Sequence, residues 1–328
     1  MAHATKVLES QKMTHKKLFY GGGAVVLAAV ALAALGGYWL VQGPKIIDRD
    51  LRGLDGDVNR GAYVARLSGC IACHTDIKAG GKVLAGGAKI STDFGSFYPP
   101  NITPDPVDGI GDWDLVDFSR ALTSGVSPNG QHLFPSFPYT FYAQMKNQDI
   151  VDLWAAVRSV PPVKGKPPKH GLRFPFSSHE GVAVWQRMFF ERKPLKEISE
   201  KSKAWNRGRY LANGPAHCGA CHTPRNLLGG RKTKQQYEGG KGPGGEKIPA
   251  ITIEALKAGK WSKDDLIYAM RTGVKPDGDV FGGSMGEVVS DATRFWSDQD
   301  LDAIATYIMS DNIMYPAASE KEDALVYD

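Results

Sequence analysis

The chain has 328 residues, of which 42% are hydrophobic and 23% are charged, a composition typical of a globular protein rather than a disordered one. Its formal net charge is only +5 and the sequence contains no nucleic-acid-binding module, so we expect no nucleic-acid partner. This length accommodates about two domains with extensions.

The first predicted element is a transmembrane helix. Residues 18–41 form a run of 24 residues without a charge, and about 20 residues suffice for a helix to cross a bilayer. Residues 31–33 resemble a signal-peptide cleavage site, but the apolar run continues through Tyr38 to Val41, which favours a retained anchor. Four lysines precede the span, so the positive-inside rule places residues 1–17 in the cytoplasm and the remainder in the periplasm of a bacterium.

Two CxxCH motifs follow, at residues 70–74 and 218–222, and they contain all four cysteines of the chain. In an exported protein this spacing is the attachment signature of a c-type haem, because two thiols add to the porphyrin vinyl groups and the adjacent imidazole binds the iron. A CxxC pair also occurs in redox dithiols and zinc sites, but the second copy and the predicted export favour haem. The sequence therefore predicts two covalently attached haems, held by Cys70, Cys73, Cys218 and Cys221, with His74 and His222 as proximal iron ligands.

The second motif belongs to an internal repeat. Cys218 lies 148 residues after Cys70, and the same spacing separates Gly125 from Gly273. Two homologous domains of ordinary size are therefore expected. The predicted segments after the anchor are a first domain (55–162), a linker (163–204), a second domain (205–314) and a C-terminal tail (315–328).

The predicted secondary structure is mainly helical with long loops. In the first domain a helix ends at Gly125 and the last helix covers residues 149–157, and residues 300–309 take that part in the second domain. The linker is basic and contains a short predicted helix at residues 181–190. This segment either packs as a linker against both domains or forms a docking surface for a partner subunit or the membrane.

Five longer stretches make the sequence resemble the cytochrome c subunits of bacterial membrane-bound dehydrogenases for alcohol, gluconate and aldehydes. They are RGAYVARLSGCIACHT (60–75), NITPDPVDGIGDW (101–113), LWAAVRSVPPV (153–163), WNRGRYLANGPAHCGACHTPRN (205–226) and FGGSMGEVV (281–289). The resemblance implies two tandem class I cytochrome c domains. It also implies a relay of electrons from a dehydrogenase catalytic subunit to quinone, a soluble cytochrome or a terminal oxidase.

The resemblance further implies roles for residues around the second haem. Met285 would be the sixth iron ligand, presented from a loop before the last helix, and the carbonyl of Pro224 would accept the ring N–H of His222. In the first domain, Asn101 and Thr103 either contact haem propionates or form a turn.

The first haem departs from the family pattern, because the 148-residue spacing places Phe137 where the second domain has Met285. His132 is the favoured replacement as sixth ligand, Met145 is the alternative, and an open site is the third. An axial histidine would give this haem the lower reduction potential. An open site would instead allow a catalytic role, in which a haem enzyme acts on peroxide, thiosulfate or another small molecule.

Overall fold

The computed structural model describes residues 29–46, 48–174, 176–191 and 195–311. Residues 29–41 are helical, whereas residues 18–28 of the predicted span and both predicted tails lie outside the described residues. Within the described ranges, no helix combines the length and the apolar character needed to cross a membrane.

The described chain is mainly helical, as predicted, with two small antiparallel sheets. The helices are α1 (Val58–Leu67), α2 (Cys70–His74), α3 (Leu115–Ser124), α4 (Tyr139–Tyr142), α5 (Asn147–Ser159), α6 (His179–Phe189), α7 (Lys203–Asn213), α8 (Ile253–Ala258), α9 (Lys263–Thr272), α10 (Gly283–Asp291) and α11 (Asp298–Ile308). Short 3₁₀ helices lie at Cys218–Ala220, Thr233–Gln235 and Thr293–Phe295.

The strands are two or three residues long. They hold loops together and do not form a core. Strands β1 (Ile90–Thr92), β2 (Gly95–Phe97) and β3 (Gly171–Leu172) form one sheet in that order, and β4 (Gly240–Lys241) pairs with β5 (Lys247–Ile248). In the first sheet Ile90 lies opposite Phe97 and Gly95 lies opposite Leu172, so the start of the linker is tied to the first half of the chain.

Local signals in the sequence set the helix ends. Asp114 and Asp117 form a capping box at the start of α3, and Gly125 ends that helix in the left-handed conformation (φ 63°). Ser262 and Asp265 form the matching capping box on α9, which ends at Gly273 (φ 83°). The predicted final helices and the linker helix are present as α5, α11 and α6.

Two helix crossings organise the two halves in the same way. Helix α1 packs across α5, and α7 packs across α11. A Cβ atom on Gly61 would lie 1.8 Å from the Asp152 carbonyl oxygen, and one on Gly208 would lie 1.9 Å from that of Ala303. Only glycine permits these close backbone approaches.

An ion pair stabilises each crossing. Arg60 pairs with Asp152 (2.7 Å) in the first, and Arg207 pairs with Asp300 (2.8 Å) in the second. Each crossing also borders an apolar core. The first core includes Leu51, Val64, Phe118, Ile150 and Leu153, and the second includes Trp205, Leu211, Tyr237, Leu301 and Tyr307.

Two matched tyrosines join the halves. Tyr63 of α1 donates to Asp300 (2.8 Å) and accepts the N–H of the residue that caps α11 (3.0 Å). Tyr210 of α7 donates to Asp149 and accepts the N–H of the residue that caps α5 (3.1 Å). Each half therefore binds the amino end of the other half's last helix, an arrangement with approximate two-fold symmetry.

Candidate haem sites

Both CxxCH motifs fold into a single helical turn that places the two thiols and the imidazole together. The turn of α2 follows Gly69, whose backbone is left-handed (φ 67°). The second turn follows His217, which adopts the same region (φ 39°) although it is not glycine. All four cysteines are free thiols.

A proline carbonyl orients each motif histidine. Nδ1 of His74 donates to the carbonyl oxygen of Pro100 (2.7 Å), and Nδ1 of His222 donates to that of Pro249 (2.9 Å). Because a carbonyl only accepts, the proton lies on Nδ1 and Nε2 keeps its lone pair. This is the tautomer that a metal-ligating histidine requires.

The predicted acceptor for His222 was wrong. The carbonyl of Pro224 accepts the backbone N–H of Lys232 instead (2.8 Å). Pro224 follows His222 by only two residues and its carbonyl faces the turn at residues 226–230, whereas the ring of His222 reaches the loop that returns at Pro249.

The loop after each motif wraps it with the same hydrogen bonds. The N–H of Ile102 donates to the Leu84 carbonyl in one half and that of Ile251 donates to the Tyr237 carbonyl in the other, both at 2.9 Å. A Cβ on Gly87 would lie 1.7 Å from the carbonyl oxygen of Cys73, so the loop approaches the motif as closely as a glycine backbone allows.

These residues fit a c-type haem. Each turn offers two free thiols and one imidazole with an available Nε2, and the first turn borders apolar side chains. The partly buried side chains that pack against the first core, as Cys70 does, include Ile71, Ile102, Trp113 and Phe137. Burial raises the pKa of the Cys70 thiol to about 12, as it does that of Cys218. Burial also lowers the pKa of His74 and His222, which favours the neutral imidazole that binds iron.

No protein-family model matches the chain. The chain is, however, 39% identical over 286 residues to a dihaem c-type cytochrome of Cereibacter sphaeroides, across 86% of this chain and 95% of that relative. The chain belongs to the dihaem cytochrome c family.

The cytochrome is also 38% identical over 266 residues to the cytochrome c subunit of a quinone-dependent alcohol dehydrogenase of Gluconobacter oxydans. It is 37% identical over 256 residues to the cytochrome subunit of a fructose dehydrogenase of Gluconobacter japonicus. It spans 54% and 52% of those two relatives, so it matches about half of each. The expected resemblance to cytochrome c subunits of dehydrogenases is confirmed.

The two loops that carry Phe137 and Met285 have matching backbone hydrogen bonds. The N–H of Leu133 donates to the Gly125 carbonyl (2.7 Å), and that of Phe281, 148 residues later, donates to the Gly273 carbonyl (2.8 Å). Phe137 lies four residues after Leu133, and Met285 lies four residues after Phe281. This supports the equivalence of Phe137 and Met285 that the repeat spacing predicts. Met285 is half-buried and lies in the first turn of α10, not in a loop as expected.

In the structure His132 contacts the linker helix and the chain near Gly43. Its Nδ1 lies 2.6 Å from Oε1 of Gln186 in the linker helix, and its ring lies against Gly43. Val280, which matches His132 in the second loop, is exposed to solvent (60%). This position therefore faces outward in the second loop. These contacts disfavour His132 as an iron ligand.

Met145 lies instead inside the first core, with 1% of its surface exposed. The same core contacts Cys70 and Phe137, and Phe137 packs on Tyr142 with ring centroids 5.6 Å apart. The structure therefore brings Met145 and Cys70, which are far apart in sequence, into one apolar cluster.

Asn101 and Thr103 are buried and bonded to protein. The Asn101 amide donates both protons, to Val163 (2.6 Å) and Gly165 (3.1 Å), and the Thr103 hydroxyl donates to Oδ1 of Asn101 (2.7 Å). In this arrangement they hold the start of the linker against the haem loop. Contact with a propionate would require these bonds to open, and it stays a prediction.

Sequence reasoning missed the contact between the two motifs. The ring of His217, just before Cys218, packs edge-on against Tyr142 of α4 (centroids 5.7 Å apart). A Cβ on Gly69, just before Cys70, would lie 3.6 Å from Cε1 of His217. Helix α10 also contacts α2, and Lys78 pairs with Glu287 at 2.6 Å. His217 stands where the first repeat has Gly69, although the backbone there is left-handed. A histidine at such a position was the local signal in the sequence that this residue makes a special contact.

Proposed function

We propose that this cytochrome carries two covalent haems and relays electrons from the catalytic subunit of a periplasmic dehydrogenase to a respiratory acceptor, either a quinone, a soluble cytochrome or a terminal oxidase. The observation that carries the proposal is the close approach of Gly69 and His217, which immediately precede the two CxxCH turns, together with the orientation of each motif histidine by a proline carbonyl. The relatives named as cytochrome subunits of alcohol and fructose dehydrogenases support the choice of donor.

When bound, haem supplies the one-electron chemistry. Cys70 and Cys73 would hold one porphyrin and Cys218 and Cys221 the other, with Nε2 of His74 and His222 directed at the irons. The carbonyls of Pro100 and Pro249 orient these rings and raise their basicity. The contact of His217 with Tyr142 and its approach to Gly69 keep the two attachment turns adjacent, so the haems that they would hold would be neighbours.

The sixth ligands complete this proposal. Met285 is assigned to the second iron on its place in the ligand loop. For the first iron the burial of Met145 beside Cys70 supports Met145, because His132 is bonded to Gln186. With Met145 and Met285 as sixth ligands, both irons would be six-coordinate, which favours a relay over the rival catalytic role at an open first haem.

The placement at the membrane rests on the N-terminus. The apolar run at residues 18–41 is proposed as a single span with residues 1–17 in the cytoplasm, and the exposed apolar side chains of helix 29–41 support it. Residues 55–162 and 205–314 are proposed as two class I cytochrome c domains. The repeated helix crossings and loop bonds support these boundaries.

The proposal is tested by purifying the full-length cytochrome from native membranes with its companions attached. Ethanol, fructose and gluconate are then added in turn, and the haem spectrum is recorded. We expect one substrate to reduce both haems as fully as dithionite does. Reduction by none of them, or rapid turnover of peroxide by the isolated chain, would contradict a dehydrogenase relay.

A further inference from the structure

The linker helix α6 presents an apolar face that the proposed electron relay does not use. Trp185, Met188 and Phe189 lie on one side of the helix, at the spacing of neighbouring turns. The indole N–H of Trp185 donates to the carbonyl of Leu228 (2.9 Å), and the ring of Phe189 covers Gly230. The face is thereby joined to the turn at residues 226–230.

The outer part of this region consists of large side chains that stand in solvent. Leu227 is 97% exposed, Phe174 is 88% exposed and Met188 is 55% exposed. We call these three residues, together with Leu228, the α6 surface. Contiguous exposed apolar side chains on a folded protein mark a contact with another protein or with a membrane.

Contacts of Phe94 connect the segments that carry the α6 surface. A Cβ on Gly229, next to Leu228, would lie 3.1 Å from the ring of Phe94. Phe94 in turn packs against Phe176 with ring centroids 4.7 Å apart, and the N–H of Arg173 donates to the Phe94 carbonyl (3.0 Å). The backbone of Arg173, which immediately precedes Phe174, is therefore tied through Phe94 to the 226–230 turn, so the exposed side chains belong to neighbouring segments of the structure.

The N-terminal helix meets this same helix. The guanidinium of Arg187 lies 3.7 Å from the ring centroid of Trp39, and it donates to the Trp39 carbonyl (3.1 Å). Trp39 is near the end of the exposed apolar helix 29–41, which continues the uncharged run that begins at residue 18. The point where the proposed anchor joins the folded part is thus next to the α6 surface.

The charges around the α6 surface suit contact with a membrane. Arg173 and Lys232 are exposed beside it, Asp93 is paired with Lys241 at 2.8 Å, and Glu180 and Glu191 are exposed at the two ends of α6. A surface of apolar side chains with a basic rim binds the interfacial region of an anionic bilayer, because the apolar groups enter the acyl boundary while the cations contact lipid phosphates.

We propose that the α6 surface rests in the outer leaflet of the membrane and fixes the orientation of the haem-bearing part relative to the bilayer. This inference rests on the proposed anchoring of residues 18–41. Leu227, Phe174 and Met188 then form a second, shallow contact with lipid, in addition to the anchor.

The test uses the full-length holoprotein in nanodiscs of phosphatidylcholine and phosphatidylglycerol that contain a phospholipid with a photoreactive diazirine on its acyl chain. Adducts are mapped by mass spectrometry after illumination. We expect adducts in residues 18–41 and also at Phe174, Met188 and Leu227, with a yield about tenfold above that at Val107 and Val280. The last two are matched controls, because they are apolar and 73% and 60% exposed but lie outside the α6 surface.

The two proposals fail in different ways. Adducts in residues 18–41 but none on the α6 surface would overturn the second contact and leave the anchor intact. Adducts on the α6 surface without any in residues 18–41 would support the contact and overturn the span. Protection of the α6 surface by a companion protein in the native complex, without lipid adducts, would assign the surface to a protein and overturn the inference.

A variant pair sharpens the result. Leu227→Asp should at least halve adduct formation at Phe174 and Met188, because a carboxylate is excluded from the acyl boundary and repelled by anionic lipid. Val107→Asp should leave these adducts unchanged. Since both side chains are exposed, each variant should keep the wild-type haem spectrum, and equal labelling in the two variants would contradict the proposal.

Discussion

The replacement of Met145 by leucine separates the candidate ligands of the first haem. Leucine has nearly the same volume, so the substitution should cost less than about 1.5 kcal/mol of folding free energy. Alanine at this fully buried position would cost about 2–5 kcal/mol and would confuse loss of ligand with loss of fold. Met145→Leu thus removes the thioether sulfur while leaving the first core filled.

If Met145 binds the first iron, the variant leaves that iron five-coordinate in the reduced state. We expect carbon monoxide to bind about half of the total haem in the variant and little in the wild type, because one of two sites opens. The reduction potential of one haem should fall, since axial methionine raises it. Both are measured on the purified holoprotein, by carbon monoxide titration and by spectroelectrochemistry.

The controls decide between the alternatives. Met285→Leu should open the second haem in the same way, and His132→Ala should leave both haem spectra unchanged because its ring is bonded to Gln186. A Met145→Leu protein with the wild-type spectrum, together with a His132→Ala protein whose first haem changes, would refute this reasoning and restore His132 as the ligand.

Three further predictions concern stability. Gly208→Val should prevent stable folding of the second helix crossing, because its Cβ would lie 1.9 Å from a backbone carbonyl; thermal unfolding and haem content report this. Burial favours a raised pKa for Asp152, but the hydrogen bonds from Arg60 and Asp57 outweigh it and lower the pKa below 3.8. The stabilisation from this carboxylate is thus present above about pH 4 and lost as the pH falls below the lowered value, so Asp152→Asn should flatten the acid limb of the denaturation curve. Tyr210→Phe should cost about 2 kcal/mol in urea unfolding, because it removes two hydrogen bonds to the other half's last helix at about 1 kcal/mol each; an unchanged midpoint would argue against those contacts.

Much of the fold was predictable because local chemistry determines it. The repeat spacing, the left-handed ends at Gly125 and Gly273 and the two CxxCH turns follow from residues that are close in sequence. The packing of helix pairs was harder to predict, since nothing local shows that Gly61 must admit the carbonyl of a helix about 90 residues away.

The errors at the candidate sites arose where long-range contacts decide. Pro224 is near His222 in sequence, but the loop that returns at Pro249 supplies the acceptor. His132 carries the right donor atoms for iron and its role stays a prediction, but sequence alone could not show that the linker folds back and places Gln186 against its ring. Residue type therefore predicted which side chains are chemically able to act, whereas tertiary structure determined which of them are placed to do so.

The count of covalent haems on one chain tests the central claim most directly. Intact-mass spectrometry of the full-length protein, matured in a bacterium that exports and haemylates it, should show the chain mass plus two haems that remain after denaturation. The Cys70→Ala/Cys73→Ala and Cys218→Ala/Cys221→Ala variants should each retain one. A wild-type chain with a single haem, or with haem that dissociates on denaturation, would contradict the account.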